Sequence, residues 1–505
     1  MNKIVLAFVF CFSTFCATSQ SDYEITIRLK DCKDTIAYLT YYQFDKNYIK
    51  DSCTQIKDGK IVFKGKGKLD KGIYSLISQK KSIYFDFFVD DDTQKLEFKN
   101  DLGAANIEGL TVVNSVRENE FLEYIKYINK QSKDFFDYKE GMKVLTKSDT
   151  IKLIGKQKEL DEKIRAYESA FLEKNKGTYI SDVLNLKIRK VLKEVPKASN
   201  GRPDSLAAYQ YYKNHYWDDV DFKDDAIMRN PFFFPKMKEY FETVIVNRPD
   251  SVNVAIDKIL DKTNPSNSLY KLMLVHLTYN YETSKIMGFD KVFVRIVDKY
   301  FKTGKAAGIY QDESVVAKII ERADKLRPLL IGTKAPDLFM TKSTDFTVLK
   351  KMGFENAKNS EELTKIYYAN EATVTKMFLN LHSIKADYLI LAFWDVDCGH
   401  CQKEIPKLLD VYNQLRKENK DVKVFSVYTL HEGEKYLKYI EENKLNEWIN
   451  VYDGAHINKL ADTYDVISTP VFFILDKNKV IKAKKIGVES IANIVKDIEK
   501  EYNTK

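Results

Sequence analysis

The pattern of apolar residues predicts a chain of three folded parts. These are an antiparallel β-sandwich over residues 20–112, an all-α domain over 113–330 and an α/β domain over 331–505. Period-two alternation broken by turn signals predicts the first. Apolar stripes at helical spacing predict the second, and buried-type strands alternating with helical runs predict the third. Length agrees, since 505 residues at about 150 per domain suggest three.

Composition narrows the function classes. The chain is 44% hydrophobic and 30% charged, with 19 Gly and 10 Pro, which excludes long-range disorder and collagen-like character. The net charge of +8 is spread thinly. No basic block is interleaved with aromatics, so no nucleic-acid partner is expected.

Residues 1–19 read as an export signal. Lys3 precedes an apolar run from Ile4 to Phe12, and small residues end the stretch at Ala17-Thr18-Ser19. That core is too short to span a bilayer, and no later stretch approaches ~20 uninterrupted apolar residues. Lipid anchoring would need a small residue before Cys11 or Cys16, but Phe10 and Phe15 stand there. The mature protein is therefore expected to be exported and free of a membrane span.

In the first part, Tyr23 to Leu29, Ile36 to Tyr41 and Lys95 to Phe98 alternate, and Asp58-Gly59 and Lys71-Gly72 mark turns. In the second, Asn114-Ser115 caps a helix whose Phe121, Leu122, Ile125 and Ile128 share a face. Leu153, Leu160, Ile164, Tyr167 and Phe171 continue such a stripe. Breaks fall at Asn200-Gly201, Asn230-Pro231, Arg248-Pro249 and Asn264-Pro265. The Phe232-Phe233-Phe234 cluster is read as packing rather than a ligand box. The third part begins its strands with the continuous run Tyr388 to Trp394, followed by Val422 to Tyr428 and Val471 to Leu475. Helices between them argue a mostly parallel sheet.

Four cysteines remain after the signal. Cys32 and Cys53 lie in the strand-rich region, where an oxidising compartment permits a structural disulfide that spacing cannot assign. Cys398-Gly399-His400-Cys401 is different, because it stands where a buried strand gives way to a helix. A cysteine at a helix N-terminus meets unpaired N–H groups and a favourable dipole, which stabilise the thiolate. Cys401, one turn on, is placed to resolve a mixed disulfide. A charged His400 would stabilise the Cys398 thiolate further, while Asp395 and Asp397 oppose it. No other close Cys pair or His pair at metal spacing exists, so neither metal nor organic cofactor is expected.

From Gly332 onward the chain resembles the thioredoxin-like superfamily, specifically the TlpA/ResA-like envelope thiol-disulfide oxidoreductases. The resemblance rests on Gly332-Thr333-Lys334-Ala335-Pro336-Asp337, Phe393-Trp394 before the C-x-x-C, Pro406 within the following helix, and Ser468-Thr469-Pro470 before an apolar strand. It implies a thioredoxin-like fold, with Cys398 as nucleophile and Cys401 as resolving thiol. It also implies a cis-proline loop at Thr469 and Pro470 that holds the substrate chain, with Trp394 packing beside the site or touching substrate. Implied partners are protein thiols and disulfides and a membrane or periplasmic redox partner, with a periplasmic location. Redox direction stays open. Upstream, Asp51-Ser52 with Asp58 to Gly65, and Tyr281 to Gly288, resemble uncharacterised β and helical domains of the same architectures.

Two departures stand out. Thioredoxins and the disulfide isomerases carry a buried acid where this chain has Ala392, so the usual proton acceptor for Cys401 is missing and turnover would rely on water or another group. An insertion of some forty residues, about 341–380, precedes the active-site strand. A peroxidase reading fails because the hydroxyl donor and proline of the peroxiredoxin loop are replaced by Asp395 and Leu391. The alternative of another class is a binding or scaffold protein of the envelope with vestigial cysteines.

Overall fold

The computed structural model describes residues 23–103, 107–142 and 146–503. The expected export signal over 1–19 lies outside them. The chain forms two compact units. One runs to Asn247 and takes in Lys258–Leu272; the other holds Arg248–Asp257 and everything from Met273. The helical middle region is thus shared between the units, and the division runs through α6 (Pro249–Leu260) and α7 (Ser268–Glu282).

In the first unit, strands β1 (Tyr23–Leu29), β2 (Ala37–Gln43), β3 (Lys46–Cys53), β4 (Lys60–Gly65), β5 (Gly72–Ser78), β6 (Tyr84–Val89), β7 (Lys95–Asn100) and β8 (Leu110–Val112) make two four-stranded sheets. Their orders are β4-β1-β7-β8 and β3-β2-β5-β6. Inward residues of both, among them Ile25, Ile27, Phe63, Leu39, Phe87 and Phe98, form one core, as the alternation predicts. The sandwich is not wholly antiparallel: β1 runs parallel to β7, Ile25 opposite Leu96. Alternation reports which face is buried and not strand direction, so this pair was not legible. The Asp58-Gly59 turn needs its glycine, since φ is +69° and a Cβ would sit 1.9 Å from the Leu29 carbonyl oxygen.

Helices α1 (Val116–Glu140), α2 (Lys147–Lys174), α3 (Tyr179–Asn185), α4 (Ser205–Asn214) and α5 (Phe233–Glu239) also belong to this unit. Ser115 caps α1 by accepting from the Glu118 N–H at 3.2 Å. Phe121 packs edge-on against Phe88 of β6. The stripe on α2 is only partly covered, with Phe171 alone fully buried. Phe233 is core, beside Trp217, Phe222 and Phe44. Cys32 and Cys53 are both free thiols, half-buried against the sandwich core. The disulfide left open by their spacing is not formed; the Cys32 thiol instead donates to the Asp34 carbonyl.

The second unit contains α8 (Asp290–Ile296) and α9 (Glu313–Leu326), then β9 (Phe339–Lys342), α10 (Phe346–Met352), α11 (Ser360–Met377) and β10 (Phe378–Asn380). β11 (Tyr388–Trp394), α12 (Gly399–Lys417), β12 (Val422–Tyr428), α13 (Gly433–Glu442), β13 (Ile449–Tyr452), α14 (Leu460–Thr463), β14 (Val471–Asp476), β15 (Ile481–Lys484) and α15 (Val488–Asn503) complete it. The sheet order is β10-β9-β13-β12-β11-β14-β15. Only β11/β12 and β12/β13 pair in parallel; β14, β15, β9 and β10 join antiparallel. The expected mostly parallel sheet is therefore mixed, because an apolar run signals burial on both faces whatever its direction.

β11 is fully buried along its length. Ile390, Ala392 and Trp394 face the core shared with α12 and α15, and Leu389, Leu391 and Phe393 face the opposite core. The insertion is built into this architecture. Its outer strands β9 and β10 pair at the sheet edge, and Phe346, Leu349, Phe354 and Val374 are buried in the first core.

Candidate active site

β11 stops at Trp394 and α12 starts at Gly399, leaving Asp395-Val396-Asp397-Cys398 as the bend between them. The bend is fixed at three points. The Gln402 side chain donates to the Val396 carbonyl at 2.9 Å, the Asp397 N–H to the Asp395 carboxylate at 3.0 Å, and the Thr429 N–H to the Trp394 carbonyl at 3.0 Å.

Cys398 is the N-cap of α12 (φ −79°, ψ 116°), and its sulfur accepts from the Cys401 N–H at 3.3 Å. Cys398 is half-exposed, whereas Cys401 is fully buried one turn further in. Both are free thiols. Their environments push them apart. Burial pulls the Cys398 thiol up, but hydrogen bonds from the Cys401 thiol and N–H, from Thr469 and from the His400 N–H outweigh it, and its pKa is lowered overall. Cys401 is pushed up to about 12, first by burial and further by Cys398. A lowered, accessible thiol in front of a protonated, enclosed one is the arrangement of an attacking and a resolving sulfur.

The loop before β14 closes over this pair. The Thr469–Pro470 peptide is cis. The Cys398 thiol donates to the Thr469 carbonyl at 3.4 Å, while the Thr469 hydroxyl donates to the Asp395 carboxylate at 2.8 Å. Residues 71 and 74 positions apart in sequence thus meet around one sulfur. Asp465, at the base of the loop and 4% exposed, is held by the Arg322 guanidinium of α9 at 2.5 and 3.0 Å and by Lys485 at 2.5 Å. Burial would raise that carboxyl, but its two cations hold it below the ordinary range.

Of the two readings of Trp394, packing holds and substrate contact is corrected. Trp394 is completely buried, donating its indole N–H to the Ser426 hydroxyl at 2.8 Å amid Tyr428, Tyr436 and Tyr439. It shapes the core under the site and has no face open to substrate. His400 is exposed, and its main-chain N–H is one of the donors that lower the Cys398 pKa. Sequence reading also missed two features. Asp395 is not merely a nearby charge, for one of its carboxylate oxygens lies within 4.8 Å of both sulfurs. Ile467, 79% exposed, stands two residues before Thr469.

Among the described residues, Asp395, Cys398 and Cys401 are also a trio with ligand atoms close enough for a metal ion. Two thiols and one carboxylate fall short of the four-ligand set of a structural zinc site. His431 and His456, unpaired by spacing, stack with ring centroids 3.7 Å apart. Burial first, and then His456, push His431 down to about 4.

Residues 386–481, which span β11 to β15 and both site cysteines, match the family model described as Thioredoxin-like. The chain belongs to the thioredoxin-like superfamily. Upstream of its thioredoxin-like domain, residues 23–116 and 154–323 match two models described only as domains of unknown function, DUF4369 and DUF5106. No curated protein matches this thioredoxin-like chain. Among solved structures, it is similar to a domain of possible thiol-disulfide isomerase from Cytophaga hutchinsonii, at 35% identity over 35% of this chain and 99% of that one, TM-score 0.28. A thioredoxin-like protein from Bacteroides caccae is 19% identical over 60% of this chain and 98% of that one, TM-score 0.41. The thioredoxin domain of a thiol-disulfide oxidoreductase from Bacteroides vulgatus is 22% identical over 34% and 97%, TM-score 0.25.

Proposed function

We propose that the protein is an exported thiol-disulfide oxidoreductase acting on protein disulfides, with Cys398 as nucleophile and Cys401 as resolving thiol. One observation carries the reading: an accessible thiol of lowered pKa at a helix N-terminus stands 3.4 Å from the carbonyl of Thr469, with a second thiol buried behind it. A vestigial pair has no need of such contrasting environments.

In the reducing direction the Cys398 thiolate attacks one sulfur of a substrate disulfide. The substrate S–S bond breaks, and its other sulfur leaves as thiolate. The mixed disulfide lies against Thr469 and Pro470. Cys401 then gives up its proton and attacks Cys398, releasing the second substrate thiolate. Two electrons have passed from the dithiol to the substrate, and the Cys398–Cys401 disulfide remains. The oxidising direction reverses each step. A membrane or periplasmic redox partner would reset the pair, consistent with the signal-like residues 1–19. No helix among the described residues is long and apolar enough to cross a membrane.

The test is reduction of insulin by the full chain. Cys398→Ser is expected to fall to the uncatalysed rate, and Cys401→Ser to accumulate mixed disulfides visible by mass spectrometry. Equal rates for wild type and Cys398→Ser would overturn the reading.

A further inference from the structure

The oxidoreductase reading leaves one step without a residue. Cys401 must lose its proton as it attacks, yet it is sealed from solvent. The strand position below it is Ala392, fully buried and unable to accept a proton. Among the described residues, the groups that act on Cys401 are Cys398 on its own helix, the Thr469 hydroxyl of the proline loop, Tyr439 of α13 and Asp395 on the bend; a neutral hydroxyl is no base. Burial holds the Tyr439 hydroxyl above its ordinary range, so it stays protonated and cannot serve as a base. Lys435 is paired with the exposed Asp397 at 3.1 Å and turned to solvent.

We propose that Asp395 is the proton acceptor for Cys401, doing from the bend after β11 what Ala392 cannot do from the strand. This rests on the oxidoreductase reading. A carboxylate oxygen of Asp395 lies within 4.8 Å of both sulfurs, a gap that one bridging water spans. The carboxylate is fixed. One oxygen accepts the Asp397 N–H at 3.0 Å and the other the Thr469 hydroxyl at 2.8 Å. The second bond ties it to the loop where the substrate chain would dock, so docking and proton transfer share one residue. The Asp395 main chain also gives a hydrogen bond that favours the Cys401 thiolate.

In the resolving step the Cys401 proton moves to the Asp395 carboxylate while the Cys401 sulfur bonds to the Cys398 sulfur. The bond between Cys398 and the substrate sulfur breaks, and its electron pair leaves on the substrate. Asp395 then returns its proton to that leaving thiolate. The dithiol is oxidised by two electrons and the substrate disulfide is reduced, so no other oxidant enters.

The experiment mixes reduced full-length protein with an aromatic disulfide, dithiobis(nitrobenzoate), in stopped flow from pH 6 to 9. Attack by Cys398 releases one coloured thiolate, and resolution by Cys401 releases a second, each read against the Cys398→Ser background. Asp395→Asn is expected to slow the second release about 10- to 100-fold at pH 7 and to leave the first within about threefold. The deficit shrinks as pH rises and hydroxide substitutes, and Asp395→Glu recovers part of the rate. A second release within twofold of wild type, or a deficit equal at every pH, overturns the inference alone. Absence of any second release in wild type overturns the oxidoreductase reading and the inference together.

Discussion

A single sulfur can be acidified or silenced by the few groups within reach of it, and the two site cysteines show both outcomes one helical turn apart. At Cys398 the donors come from the main chain of its own helix and from Thr469, and together they exceed the cost of partial burial. At Cys401 burial dominates. Iodoacetamide applied to the reduced native protein near pH 7 should therefore modify Cys398 at least ~10-fold faster than Cys401. Cys401 should become reactive only on denaturation. Site-resolved mass spectrometry reads the rates, and equal labelling of the two in the native state would contradict the assignment. Cys32, whose thiol burial also raises, is an internal reference in the same digest. The C-x-x-C at the start of α12 was legible because it is written in adjacent residues. Which of packing and substrate contact Trp394 would make was not, since that depends on which way a ring points.

Among the elements, α1 carries a burial conflict that pH exposes. Glu118, in its first turn, is 1% exposed, and its carboxylate accepts the Phe88 N–H at 3.3 Å to each oxygen. Burial holds this carboxyl well above the usual carboxylate range. A group whose folded pKa is raised contributes stability that is complete below its unfolded value and lost as pH climbs through the folded one. Glu118→Gln keeps an acceptor for Phe88 and removes the charge. Its Tm should exceed that of wild type by roughly 2–4 °C at pH 8, with the gain fading towards pH 4. A Tm below wild type at pH 8 would count against this account. The cap at Ser115 was legible from its residue type; the burial of Glu118 three positions on was not, because N3 acids usually face water. The insertion gives the same lesson. Its extent was visible, but its use of Phe346, Leu349 and Val374 to complete the core under Trp394 follows from β9 and β10 closing the sheet edge.

Across the whole molecule, the thioredoxin-like sheet does not end at the boundary its motifs suggest. Lys484 of β15, its side chain 7% exposed, pairs with Asp290 of α8 and donates to the Leu329 carbonyl at 2.6 Å. Burial lowers its pKa despite that partner. Arg322 of α9 holds Asp465 beneath the proline loop, and Lys325 pairs with Asp462 at 2.9 Å. Leu329 itself is part of the core behind β11. Removing one side of a buried ion pair is costly. A fragment of residues 331–505 should therefore be less stable than one of 248–505 by roughly 3 kcal/mol in urea unfolding. Equal midpoints would mean that the added helices are not part of the domain. The fragment should also lose activity before it unfolds, because the loop bearing Thr469 loses its anchor.

By itself the sequence determined the order of β, helical and α/β parts and the position of the two sulfurs at a strand-to-helix junction. Each is encoded by periodicity or by residues adjacent along the chain. Tertiary structure alone decided that β1 runs parallel to β7, that the central sheet is mixed, that helices before residue 331 belong with the thioredoxin-like sheet, and that the Asp395 carboxylate meets the Thr469 hydroxyl. Those outcomes turn on strand direction and on partners tens of residues away. Hydrophobic patterning, which records only what is buried, carries no information about either.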